Sequence, residues 1–280
     1  MDIIFKKSNL PYLERVIENP GSGRDQWRLT RMMQDRDALN HQLSSELLLL
    51  QRGAHAGDVW SMCELARTYF HHCGDLFLPH AMMWWRKAAL QKDQGALWDI
   101  GNLPIRQRIL NYQSGENEYA NIEMQCTMLA EWHLTGLGIW DYDMLSQTAL
   151  ARRSAALVAD VTPLLELPEI DFAVVPGLNH QGNVVDGLAY SDGRVQIRSE
   201  MMRDRKRLVQ VIFHELGHQV EYQILLERPN AQRLQSLFRL SPERIASWST
   251  GAMGYEVSTM EEDPDTLSYG VYTNWLLFFG

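Results

Sequence analysis

The pattern of apolar residues changes near residue 160, and this change limits the folds that the chain can adopt. Before it, apolar residues recur at helical spacing, as in GDVWSMCELARTYFHH (57–72). After it, PEIDFAVVP (168–176) predicts a short strand between prolines, and VVDGLAYSDGRVQIRSE (184–200) predicts a hairpin that turns at Asp192-Gly193. Strands that are followed by further helices indicate an α+β unit. We therefore predict an α+β protein with an all-α domain of helix pairs over residues 1–160 and an α+β domain over residues 161–280.

The composition and the charge exclude several classes of protein. With 45% apolar and 22% charged residues, the chain resembles an ordinary folded protein and not a disordered one. Its formal net charge of −9 favours neither nucleic acid nor an anionic membrane surface as a partner. No apolar run is long enough to span a bilayer, and the N-terminal MDIIFKKSNL lacks the apolar core of a signal peptide. Three cysteines are too few for a disulfide scaffold, so we predict a cytoplasmic protein with reduced thiols.

A degenerate internal repeat lies in the N-terminal part of the chain. LARTYFHHCGDLFLPHAMMWWRKAAL (65–90) is echoed by LAEWHLTGLGIWDYDMLSQTALARRSAAL (129–157), with units of roughly 32–36 residues, a length typical of stacked helix pairs. A short first helix, a glycine-containing loop and a second helix with WWRKAA resemble the Sel-like repeats, relatives of the tetratricopeptide repeats. The resemblance is clearest over 57–92 and implies a binding platform for a protein partner. The same residues are also compatible with the buried and exposed faces of two ordinary amphipathic helices.

The segment RLVQVIFHELGHQVE (207–221) carries the strongest chemical signal. His214 and His218 are four residues apart, so on a helix their imidazoles can converge on one metal ion. Glu215 is rotated by about 100° from His214 and can reach a water held at that metal. This HExxH pattern resembles the zincin metallopeptidases, which implies zinc, peptide hydrolysis and a catalytic role for Glu215. In zincins a strand lines the active-site cleft and pairs with extended substrate, and we expect residues 194–199 to be that strand.

A catalytic zinc needs a third protein ligand, and no histidine follows His218. The later candidates are acids: Glu256, Glu261, Glu262, Asp263 and Asp265. We expect the final helix to start near Asp263-Pro264, because proline is tolerated only in a first turn. The arrangement resembles the gluzincins, in which a carboxylate on a later helix completes the site. In lethal-factor-type zincins an apolar residue at +2 and a small residue at +3 follow this ligand. Leu267 and Ser268 match for Asp265, which we prefer, and Glu262 is the alternative.

Two further residues have candidate roles. Tyr255 lies shortly before the final helix, and in lethal-factor-like enzymes a tyrosine in a comparable place donates a hydrogen bond to the developing oxyanion. The resemblance therefore implies a catalytic Tyr255, although tyrosine is also a common core residue. Glu221 shares the helix face of the histidines and could orient His218, or it could be a solvated acid.

These observations predict a zinc-dependent metallopeptidase that acts on a protein or peptide, with the helical repeats as a platform for the substrate or a partner. An intact Glu215 favours catalysis, because a structural metal site needs no general base. The alternative is a non-catalytic repeat scaffold with a degenerate, structural zincin-like domain. A latent enzyme delivered into another cell would carry the same features.

Overall fold

The computed structural model describes residues 36–115, 117–139, 142–180, 182–243, 245–246 and 264–279. Helices dominate these residues, and the strands form one small mixed sheet and one short hairpin. The α-helices are α1 (Arg36–His55), α2 (Val59–His72), α3 (Leu78–Leu90), α4 (Gln94–Asn102), α5 (Ile105–Leu110), α6 (Glu118–Thr135), α7 (Gln147–Leu164), α8 (Arg205–Leu225), α9 (Ala231–Leu237) and α10 (Pro264–Phe279). The strands are β1 (Asp171–Val175), β2 (Asn179–His180), β3 (Asn183–Val184), β4 (Gly187–Ala189) and β5 (Arg194–Arg198). Among the described residues no helix has the length and apolarity needed to cross a membrane.

The chain separates into two compact units, an N-terminal unit of residues 1–103 with 137–139 and a C-terminal unit of residues 104–136 with 140–280. These units differ from the predicted ranges 1–160 and 161–280, because α6 and α7 belong with the strands. The physical reason is that α6 packs against α7 and also against α10, near the C-terminal end of the chain. The change in the pattern of apolar residues near residue 160 indicates local secondary structure, but it does not show which helices pack together.

The N-terminal unit contains the predicted helix pair α2–α3. Asp58 caps α2 by accepting a hydrogen bond from the Ser61 amide at 3.1 Å, and Pro79 lies in the first turn of α3, as the sequence indicates. Trp85 is fully buried, and its Nε1 donates to Asp99 Oδ2 at 3.0 Å. The periodicity also predicts an inward Leu90, and this was wrong. Leu90 is 60% exposed because it lies about 140° around the helix from Trp85.

The C-terminal unit is built around a three-stranded sheet in the order β1-β5-β4. β5 pairs in parallel with β1 and antiparallel with β4. The predicted hairpin joins β4 to β5, with Gly193 at φ +95°, a backbone conformation that favours glycine. Val195 and Ile197 share one buried face of β5, as predicted. Helix α8 packs against β4, β5 and α10.

The contact of α6 with α10 uses polar groups as well as apolar ones. Trp275 Nε1 donates to Glu131 Oε2 at 3.0 Å, and both side chains are fully buried. Asn274, the residue before Trp275, donates from its Nδ2 to Glu123 Oε1 at 2.6 Å. Buried polar groups of this kind require a matched partner, so these pairs fix the position of α10 along α6.

Candidate metal centre

Helix α8 carries the HExxH segment, and the side chain of Asp204 caps its first turn. The Asp204 carboxylate accepts hydrogen bonds from the amides of Lys206 at 2.9 Å and of Arg207 at 3.1 Å. The predicted apolar side of the helix is buried: Leu208, Val211, Ile212 and Leu216. His214 and His218 are half-buried beside these residues.

His214 and His218 lie side by side on α8. Their ring centroids are 4.7 Å apart and the rings are nearly perpendicular, at 87°. This is the spacing that i and i+4 positions give on one helix face, and it allows two imidazole nitrogens to reach one metal ion. Imidazole suits zinc, and a later carboxylate would complete a His₂-carboxylate set.

Glu221 contacts His218 directly. Its Oε2 lies 2.8 Å from Nδ1 of His218, and the Glu221 side chain is buried. A carboxylate only accepts, so the ring proton lies on Nδ1 and Nε2 is left as the metal-binding nitrogen. Of the two roles considered for Glu221, the geometry therefore favours the orienting role and excludes a solvated acid.

Glu215 lies against β4, in a cleft of about 510 Å³. A Cβ atom placed on Gly187 would lie 2.5 Å from Oε1 of Glu215 and 2.7 Å from its Cγ. The strand backbone can therefore approach the Glu215 side chain this closely only at a glycine. The cleft is lined by Val184, Val185, Asp186, Gly187, Arg207, Gln210, Val211, His214, Glu215 and Ser268.

The strand beside the cleft is not the predicted one. Residues 194–199 were expected to line it, but β5 is hydrogen-bonded on both sides, to β1 and to β4, and cannot pair with a substrate. β4 is an edge strand of this sheet, and Gly187 at its start faces Glu215. Sequence patterns identify strands without giving their order in the sheet, which is why this expectation was wrong.

Helix α10 begins at Pro264, as predicted, and contributes Ser268 to the cleft. The backbone of Asp265 lies in its first turn, one helical turn before Ser268, and the Asp265 side chain is outside the description. Glu262 and Tyr255 lie outside the described residues, as do Glu256, Glu261 and Asp263. Within the part of the chain that the structure describes, no three His, Cys, Asp or Glu side chains are grouped for metal binding. The described centre is the pair His214 and His218 with Glu215 and Glu221.

Comparison with protein-family models, with curated proteins and with solved structures found no match to this chain. The arguments for function therefore depend on the chemistry of the site itself.

Sequence reasoning missed two residues of the cleft. Gly187 was treated only as part of a hairpin, and Arg207 was given no role beyond being the first residue of the helical segment 207–221. A signal for Arg207 was present, because it precedes His214 by seven residues and so lies on the same helix face. No local signal marks Gly187, whose role depends on the pairing of β4 with β5.

Proposed function

We propose that this protein is a zinc-dependent metallopeptidase that hydrolyses peptide bonds of a protein or peptide substrate. The observation that carries the proposal is the juxtaposition of three groups on α8: two histidines 4.7 Å apart, a carboxylate on Nδ1 of His218, and Glu215 beside them in an open cleft. His214 and His218 would hold the zinc, with Asp265 as third ligand and Glu262 as the alternative.

When bound, zinc supplies a Lewis acid that polarises the scissile carbonyl. The carboxylate of Glu215 takes a proton from the attacking water and passes it to the leaving amine, as a general base and then a general acid. Glu221 keeps the His218 ring in one orientation throughout. Tyr255 is the candidate donor to the oxyanion.

The small mixed sheet, with edge strand β4 beside the HExxH helix, supports a zincin-like arrangement of the C-terminal unit. The helix pair α2–α3 supports repeats of the Sel-like kind in the N-terminal unit, with a protein substrate or partner as ligand. We place the enzyme in the cytoplasm, on the sequence features that favour reduced thiols.

The proposal is tested by incubating native protein and Glu215→Gln with zinc and a peptide library, and by measuring zinc content by mass spectrometry. Cleavage by native protein, loss of cleavage in Glu215→Gln and equal zinc content in both are expected. Glu169→Gln, the same carboxylate-to-amide change at an exposed residue, is the control and should cleave normally. Equal cleavage by native and Glu215→Gln protein would contradict the mechanism. Zinc-loaded native protein that cleaves nothing would favour the alternative of a non-catalytic repeat scaffold.

A further inference from the structure

Two arginines share one carboxylate at the end of the cleft nearest to the start of α8. Asp186 Oδ2 accepts from Nε of Arg207 at 3.1 Å and from its Nη2 at 2.9 Å. The other oxygen, Oδ1, accepts from Nη2 of Arg198 at 2.5 Å. The carboxylate thus holds both guanidinium groups in place, and Asp186 and Arg207 both line the cleft.

The charge at this end of the cleft is only partly balanced. One negative charge of Asp186 faces two positive charges, and the half-exposed Glu200 has its Oε2 3.8 Å from Nε of Arg198. The side chain of Arg207 is 54% exposed, and within the described residues its Nη1 has no hydrogen-bond partner. A guanidinium of this kind is fixed in direction and retains donors for a carboxylate.

The position of Arg207 relates it to the reacting centre. It precedes His214 by two helical turns, about 10 Å along α8. Asp186 immediately precedes Gly187, which lies against Glu215. An extended peptide advances about 3.3 Å per residue, so Arg207 is within about three residues of the bond that would be cleaved.

We infer that Arg207, held by Asp186, forms a subsite for an acidic side chain, so that the preferred substrates carry Glu or Asp within three residues of the cleaved bond. This inference rests on the proposed peptidase activity. A lysine or arginine side chain at the same place would meet two like charges and would be disfavoured. Because Arg207 is half exposed, the preference should weaken in high salt.

The test uses a peptide that the native protein cleaves, with Glu, Gln or Lys placed in turn at each of three positions on either side of the bond. At one position we expect kcat/KM for the Glu peptide to exceed that for the Gln peptide about tenfold, the effect of a charge-assisted hydrogen bond, and the Lys peptide to be the poorest. Arg207→Gln should remove the preference, so that the Glu and Gln peptides are cleaved with equal kcat/KM. Arg207→Lys, which keeps the charge and loses the bidentate geometry, should retain part of it.

Lys206→Gln is the matched control, since Lys206 is the exposed neighbour of Arg207 and does not line the cleft. It loses the same charge at the same helix end, and it should keep the full preference.

Binding of the Glu and Gln peptides to Glu215→Gln protein, measured by fluorescence anisotropy, should show the same tenfold difference. Cleavage without an acidic preference, or a preference that survives in Arg207→Gln, would overturn this inference alone. Absence of any cleavage by native protein would overturn the proposed function and this inference with it.

Discussion

Nδ1 of His218 lies 2.8 Å from Oε2 of Glu221, and the Glu221 residue is only 3% exposed. Partners of this kind hold a metal-binding imidazole in one orientation and make it more basic. Glu221→Ala is therefore expected to weaken zinc binding by roughly 10–100-fold. Competition with a chromogenic chelator measures the affinity. Glu169→Ala, an exposed acid, should bind zinc like native protein, and an unchanged affinity in Glu221→Ala would contradict this role.

Two single variants distinguish the two candidates for the third zinc ligand. Asp265 lies one turn before Ser268, a residue of the cleft, so Asp265→Ala should reduce zinc affinity by more than about 100-fold, beyond the effect of an orienting partner. Glu262→Ala should retain zinc. Zinc content after dialysis distinguishes the two variants. The reverse pattern would assign the ligand to Glu262.

Substitution of Gly187 should impair catalysis without removing the metal. An added Cβ would lie 2.5 Å from Oε1 of Glu215, so Gly187→Ala must displace the general base. A displacement of about 1 Å can cost roughly 100-fold in rate, and we expect a loss of that order in kcat with unchanged zinc content. Gly101→Ala is the control, because a Cβ there contacts nothing within 4 Å. Normal turnover by Gly187→Ala would show that Glu215 tolerates the shift.

Removal of one indole N–H should destabilise the C-terminal unit. Trp275→Phe keeps most of the ring but leaves the buried Oε2 of Glu131 without its 3.0 Å donor. The expected loss in the free energy of unfolding is about 2–4 kcal/mol, from the loss of one hydrogen bond to a buried carboxylate and from a small cavity. Urea denaturation measures it. Trp98→Phe, at a residue that is 61% exposed, should change stability by less than about 0.5 kcal/mol.

The stability of the fold should fall in mild acid through His133. Burial lowers the pKa of His133, and the hydrogen bond to Asp160 at 2.7 Å offsets only part of that effect. The folded pKa is thus below the unfolded value of 6.5, so the unfolded chain binds more protons and stability decreases as the pH falls below 6.5. His133→Gln removes this contribution. The free energy of unfolding between about pH 6.5 and 5 should fall less steeply in the variant, and equal slopes would contradict the prediction.

Local signals in the sequence predicted much of the candidate site. The segment RLVQVIFHELGHQVE predicted helix α8, and the spacing of four placed His214 beside His218. Asp192-Gly193 located the hairpin, and Pro264 marked the start of α10. Each of these predictions depends on residues within one or two helical turns of one another, where backbone geometry leaves few options.

The features that were not predicted depend on distant parts of the chain. The strand order depends on the pairing of β5 with β1, more than twenty residues earlier, and the periodicity of either strand is the same in any order. The place of α6 in the C-terminal unit depends on Glu131 meeting Trp275, 144 residues later. Neither residue is unusual by itself, so no sequence motif predicts their contact.

The packing of α10 against α6 limits where the protein can be truncated. A fragment that starts at residue 161 would keep His214 and His218, yet it would remove Glu123 and Glu131, the partners of Asn274 and Trp275. The helix that leads into the cleft would lose its support in such a fragment. A fragment that keeps this support has to begin near Pro104, where the C-terminal unit starts, and so has to include the helices that precede the sheet.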